Sequence, residues 1–470
     1  MIVEGDVMGD DLGLYPRFKQ IMSVADTPVY FVGGNHDLDF DAPSDQHSFD
    51  TFRREFGPPN YSFDIGDVHF VVLDNVVYPC TTETDNADGK HGFCDASDTE
   101  PTYNGRVTDE QIEWLNNDLA LVPEDKLVVL NMHIPLVTFM DLESTKHQTS
   151  NAAEVYAAVE GRPALALSGH THTIEQIREG ENYAGWQQAV GVGPSPFPQI
   201  VTGAPSGSWW SGDLDAAGIP MGYQRLGAPR GYLLFEFDGN QFQDTYKASG
   251  KPVDAQMSVS IDSPRFREWY NTMYEWVASY IDEEGEENFE ERSKHTPPLN
   301  INDLGDTQLL TPTDLNEGTF LAVNVWNGSK DTAVSVAING GEPIQATRTQ
   351  EGEGEEARQG VEYADPFAVV RQMQVARYAF ASQSGEPRNQ GFELWKEAAF
   401  QGDPQPLQEW MIADQSNHLW KAQLPADLET GIYNAAVTVT DHFGRKHTSN
   451  LTFEVMEEIP PMRFRSELFE

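Results

Sequence analysis

Cysteine, basic residues and long apolar runs are all scarce in this chain of 470 residues. The two cysteines, Cys80 and Cys94, share one polar stretch where a thiol has little reason to be buried, so they read as a local disulfide made in an oxidising compartment. A C-x13-C zinc pair is the competing reading, and no second Cys or His pair at zinc-ribbon spacing completes it. With 30 Lys and Arg, only 11 of them Lys, against 75 Asp and Glu, the formal charge is −45 at pH 7. That charge repels phosphate backbones and anionic lipid, which disfavours binding of nucleic-acid polymers or a polybasic membrane contact. No run of about 18 apolar residues is present to form a transmembrane segment. The amino terminus also lacks the basic-then-apolar pattern of an export signal.

What is present is a globular composition under an acidic skin. Ten Trp, 16 Tyr and 25 Phe within 39% hydrophobic residues exclude a wholly disordered acidic chain. The length suits two or three domains with a real core. The acid excess fits either a protein working in concentrated salt or plain solubility. Met1 leads directly into Ile-Val-Glu-Gly-Asp, which reads as the end of a buried strand, so upstream residues are expected.

Short apolar runs at 29–32, 70–73, 127–130 and 164–167 are bounded by Gly, Pro or Asn, as strands buried on both faces should be. Thr108-Asp109-Glu110-Gln111 opens a helix with a Thr cap and a Gln three residues on, followed by Ile112, Leu115 and Leu119 at helical spacing. Tyr61 to Ile65, then Gly66-Asp67, then Val68 onward reads as a hairpin. The mixture predicts an α/β layer architecture. After Gly239 the composition shifts: an aromatic helical stretch spans 264–282 and an acidic run spans 283–292. From about 316, alternating strands closed by Asn327-Gly328, Asn339-Gly340 and Phe443-Gly444 predict an all-β, immunoglobulin-like sandwich. The expected organisation is a catalytic domain over 1–250, a helical and acidic connector over 251–315 and a β-sandwich over 316–466.

Four polar motifs follow apolar runs directly: Gly5-Asp6, Gly34-Asn35-His36-Asp37, Asn131-Met132-His133 and Ser168-Gly169-His170-Thr171-His172. Ligands gather outside the carboxyl ends of strands in open α/β sheets, so these side chains can converge from distant positions. A carboxylate, an amide oxygen and three imidazoles form a mixed O and N donor set that suits Mn, Fe, Zn or Co. The ordered motifs resemble the calcineurin-like metallophosphoesterase superfamily, whose run is Asp-x-His, Gly-Asp, Gly-Asn-His-Asp/Glu, His and Gly-His-x-His; four of the five are present over about residues 1–240.

The resemblance implies a layered αββα domain and a metal-dependent hydrolase of phosphate esters, phosphodiesters favoured. Two divalent ions about 3.5–4 Å apart would share Asp6. Asn35, His133 and His170 would complete one sphere, and His172 would reach the other ion. His36 would stabilise or protonate the departing oxygen, with Asp37 as its orienter. A phosphomonoesterase or nucleotidase is the alternative within enzymes. A degenerate surface protein that binds glycans or partners through its β domain is the alternative outside them.

The first motif is the departure. No Asp-x-His precedes Gly5-Asp6, and Asp67-Val68-His69 has the letters but lies at a hairpin turn. The chain is therefore expected to start downstream of its natural beginning, with the full-length protein exported to the periplasm or outside the cell. Asp10 and Asp11 could serve the site or cap a helix. Trp209 and Trp210 sit in a Gly/Ser loop and could stack on substrate or pack between domains. His418 has no partner at ligand spacing and reads as structural.

Overall fold

The computed structural model describes residues 1–80, 102–142, 144–208, 222–282, 285, 287–292, 295, 297–375 and 407–460. They form two compact units that interleave along the chain. The first holds residues 1–204, 231–247 and 351–357; the second holds the described parts of 205–230, 248–350 and 358–470.

The first unit is a layered α/β structure. Its central strands β4 (Val68–Val72), β7 (Leu127–Asn131) and β8 (Ala164–Ser168) are parallel and buried at every position, as their doubly apolar runs predict. β10 (Gln199–Thr202) extends them in parallel, while β3 (Tyr61–Ile65) and β9 (Ile174–Ile177) close the edges antiparallel, in the order β3-β4-β7-β8-β10-β9. The expected β3–β4 hairpin turns at Gly66, whose φ of +58° suits a residue without Cβ. The run at 29–32 gives only a short strand, β2 (Tyr30–Phe31), paired in parallel with β1 (Ile2–Val3). This small second sheet faces the first. Ile2 packs into the Phe70, Val129 and Leu165 cluster, and the Tyr30 ring stacks on Phe63 at 3.9 Å. The hairpin of β11 (Gly231–Asp238) and β12 (Gln241–Ala248) lays Leu233, Phe235, Phe237 and Phe242 on that same cluster.

Register decides where the polar motifs emerge. Asn131 lies level with Val72 of β4 and Leu167 of β8, so the residues that follow all three strands leave from one edge. His69 enters β4 away from that edge, buried between Asp64 and Asp118 at 2.9 Å from each. Asp67-Val68-His69 is thus structural. The helix Asp109–Leu119 starts where expected, with the Thr108 hydroxyl accepting from Gln111 N–H. A second hairpin, β5 (Val76–Cys80) with β6 (Thr102–Gly105), carries Cys80, which is disulfide-bonded. The other cysteine, Cys94, lies outside the described residues.

The second unit contains the β-sandwich. One sheet orders β13 (Met257–Asp262), β15 (Phe320–Val325), β19 (Leu419–Gln423) and β18 (Thr347–Arg348). The other orders β14 (Leu309–Leu310), β21 (Lys446–Val455), β20 (Gly431–Thr440), β16 (Ala333–Ile338) and β17 (Ile344–Gln345). Their inner faces meet in one core that includes Leu321, Val323, Val336, Trp420, Val437 and Phe453. Asn339 and Gly340 both have positive φ, +48° and +72°, as the Asn-Gly signal after β16 predicts. The stretch 251–315, read from sequence as a connector, supplies β13 to the sandwich and a helix, Pro264–Ala278, with a buried stripe. Phe266, Trp269, Tyr270, Met273 and Val277 recur at 3- and 4-residue spacing and bury against Val369, Met373 and Met411. An apolar stripe of that width needs a packing partner, which is why this segment folds into the unit.

Candidate metal centre

The edge where β1, β2, β7 and β8 end collects Asp6, Asn35, His133 and His170. Two glycines permit the approach. A Cβ on Gly34 would stand 2.3 Å from the Asp6 amide and carboxylate, and a Cβ on Gly5 would stand 2.3 Å from His133 Nδ1. Asp6 itself is left-handed, with φ +50°, and its Oδ1 accepts the His36 N–H at 3.0 Å. Backbone strain of this kind persists only where the surroundings over-determine it.

His133 is 1% exposed, and its Nδ1 lies 2.7 Å from the Glu4 carbonyl. A carbonyl can only accept, so the proton sits on Nδ1 and the Nε2 of the neutral ring presents a lone pair. By the same logic the Lys146 carbonyl, 2.9 Å from His170 Nε2, turns the Nδ1 of a neutral His170 into an acceptor. Those two lone pairs face each other at 3.1 Å. Asn35 Oδ1 lies 3.0 Å and Asp6 Oδ1 3.2 Å from His133 Nε2. The ligand atoms of Asp6, His133 and His170 all lie within 4.8 Å of one another.

Four acceptors therefore converge with no donor among them, and a divalent cation satisfies such a set while neutral hydrogen bonding cannot. Carbonyl groups behind the two rings are also what metal-ligating histidines characteristically have. The charges on the same groups pull against one another. Burial pushes the Asp6 carboxyl up, but the charge and hydrogen bond of His133, with His36 and His170, hold it well below the usual carboxylate range. Burial lowers His133, yet Asp6 and the Glu4 carbonyl outweigh it and raise it; burial and His133 together push His170 far down.

Residues 1–173 match the sequence model of calcineurin-like phosphoesterase, and residues 200–388 match that of the C terminal of calcineurin-like phosphoesterase. The chain belongs to the calcineurin-like phosphoesterases. No curated protein matches it. The family is one of metal-dependent phosphoester hydrolases, and the donor set of this phosphoesterase domain agrees with that chemistry.

The remaining expected site residues fall in different places. His172 lies in the same loop as His170, partly buried with φ +55°, and its charge depresses His170; it stands outside the three-residue cluster. His36 is partly exposed at the site, and its Nδ1 donates to Asp10 Oδ1 at 2.7 Å. Asp37 was expected to orient that ring, and it does not. Its buried carboxylate instead accepts from Gly34, Val7 and Met8 N–H and from the Tyr15 hydroxyl, at 3.0, 3.1, 3.4 and 2.8 Å. Burial and Asp6 push its pKa up to about 6 against those donors. Asp37 therefore ties the Asp6 loop to the Asn35 turn, whereas Asp10 orients His36 and Asp11 caps the turn Leu12–Leu14 through Gly13 N–H. Trp209 and Trp210 lie outside the described residues.

Two residues near the centre, Tyr103 and His147, were missed in the sequence. Tyr103 on β6 sets its ring edge-on to His170 at 5.7 Å, its phenol pushed up by burial, Asp6 and Asp141. His147 places its ring 5.1 Å from His170 and hydrogen-bonds Asp141 through Nδ1. Asn75 braces the strand end: its amide donates to the Ile134 carbonyl at 2.6 Å and accepts from Ile134 N–H at 3.1 Å. Asn75 follows β4, where Asp74-Asn75 reads from sequence as a turn close to the site, whereas His147 comes too far after β7 for the strand-end rule to find it.

Proposed function

We propose that this phosphoesterase hydrolyses phosphodiesters at a two-cation centre. Asp6, Asn35, His133 and His170 hold one ion, and Asp6 with His172 reaches the other. The convergence of three further acceptors on His133 Nε2 carries this reading. Bound divalent ions supply Lewis-acid charge to the phosphoryl oxygens and a water acidic enough to attack near neutral pH. The protein's own part is positional and protic. Asp6 and the three histidines fix the donor atoms, and Asp10 orients the His36 ring through Nδ1 so that the ring can hold or deliver a proton at the departing oxygen. Asp37 keeps the Asp6 and Asn35 loops in register through its four donors.

Substrate is drawn by local cations, because a formal charge of −45 gives the surface no attraction for phosphate. Trp209 and Trp210 are proposed to contact the substrate's organic group, and the β-sandwich over 316–466 to serve as an accessory domain that touches glycan or protein. The catalytic domain is taken as 1–250. A disulfide at Cys80 supports an exported location in an oxidising compartment.

The decisive experiment measures bound Mn, Fe, Zn and Co in the purified chain and compares bis-p-nitrophenyl phosphate with p-nitrophenyl phosphate. Preferential cleavage of the diester, lost on chelation, supports the proposal. Preference for the monoester points to a phosphomonoesterase or nucleotidase. Neither activity, with no metal retained, would leave a binding protein.

A further inference from the structure

The loop that presents His170 and His172 is held in an improbable shape. Both residues have positive φ, +70° and +55°, a region that side chains with a Cβ rarely adopt, and Thr171 sits between them. The support comes from Glu175 on β9, a carboxylate that is 0% exposed. Its Oε1 accepts the Thr138 and Thr173 hydroxyls, each at 2.7 Å, and its Oε2 accepts Phe139 N–H at 2.6 Å. Since the Thr173 proton is given to Glu175, the 2.7 Å contact between Thr171 and Thr173 must be donated by Thr171. Thr138 is equally determined: it donates to Glu175 and accepts from Met140 N–H at 3.0 Å. One buried anion thus gathers the loop that follows His133 and the loop that carries the other two histidines.

We propose that Glu175 is a positioning residue that sets His170 and His172 against His133 through Thr171, Thr173, Thr138 and Phe139. The inference rests on the reading of those histidines as cation ligands. Glu175 itself touches no substrate. A carboxylate is required because three donors converge on it and only an ionised acid accepts all of them without offering a donor in return. Glutamine would turn an NH2 group against a donor, and aspartate would fall one methylene short.

The test uses the whole chain and Mn2+ as probe. Calorimetric titration of Mn2+ into the wild type, H133A, E175Q, T171V and T173V is combined with kcat and KM on bis-p-nitrophenyl phosphate and the melting temperature of each metal-free protein. E175Q and T173V are expected to weaken Mn2+ binding about 10- to 100-fold, the range for groups that hold metal ligands in place. T171V should lie between them and the wild type, and metal-free T173V should melt within a few degrees of it. Should E175Q fail to fold, the two threonine variants decide. Unchanged Mn2+ affinity in T173V and in any E175Q that folds, whatever happens to melting, overturns the positioning role alone. Absence of Mn2+ binding in the wild type, or binding that H133A leaves intact, overturns the ligand reading and this inference with it.

Discussion

His133 in the first unit and His418 in the second are both sealed from solvent, at 1% and 0% exposure, yet their surroundings are opposite. Around His133 stand a carbonyl, a carboxylate, an amide and another imidazole. Among the described residues, both ring nitrogens of His418 lack a hydrogen-bond partner, and both amide atoms of neighbouring Asn417 lack one too. The backbone carbonyl of His418 accepts from Val325 N–H at 3.0 Å beside β19, so the residue is held by its main chain. Burial and the Arg348 charge push its ring down to a pKa of about 3, which keeps it neutral in the fold. Burial alone therefore does not mark a site. Convergence of acceptors does, and a solitary buried imidazole is a local loss of stability that the sandwich core tolerates.

The comparison can be broken most decisively at Asp6 and His133. Asp6→Asn or His133→Ala is expected to lower kcat/KM on bis-p-nitrophenyl phosphate by at least about 10³-fold and to remove tight metal binding by calorimetry. A variant that keeps both would abolish the distinction between the two histidines. His36→Gln should reduce kcat by about 10²-fold, in the range for a general acid, while metal affinity measured by the same titration stays near the wild-type value. Asp10→Asn, which weakens only the hold on the His36 ring, should cost about 10-fold in kcat with KM little changed.

The smallest effect on activity is expected at His418. His418→Leu removes two unpartnered polar atoms at similar volume, so it should leave hydrolysis unchanged and stabilise the protein by about 1–3 kcal/mol in denaturant unfolding. Its pH dependence sharpens the point. The unfolded imidazole takes up a proton below its ordinary pKa of 6.5, while the folded one resists until about 3. Stability is thus lost as pH falls through that window, at up to about 1.4 kcal/mol per unit, and recovers none of it below. The leucine variant should lack this component and unfold at lower pH. Equal acid midpoints would show that His418 is protonated or partnered in the fold.

Local pattern was enough where one physical rule dominates. Runs apolar on both faces became β4, β7 and β8; Thr108 and Gln111 marked a helix start; Gly66 and Asn339-Gly340 marked turns. The motifs at Asp6, Asn35, His133 and His170 were legible because each follows a parallel strand and side chains gather at such strand ends. Partnership between loops was not legible. Asp37 adjoins His36 in sequence, but in a tight turn neighbours point apart, and Asp10, 26 positions earlier, takes the ring. The stretch 251–315 read as a connector that included an aromatic helix, because spacing alone does not say that Phe266, Trp269, Tyr270, Met273 and Val277 pack within the second unit.

Composition, periodicity and ordered motifs alone determined the layered α/β unit, the β-sandwich and the donor types offered to a cation, since each depends on short-range spacing and on residue chemistry. Tertiary structure decided which lone pairs face one another, that Asp10 and not Asp37 steers His36, and that Glu175 ties two histidine loops together. Those relations are hydrogen bonds between segments up to about 130 residues apart, such as His133 to Glu4. Their direction follows from which partner is a carbonyl or carboxylate, and that is settled only when the loops meet.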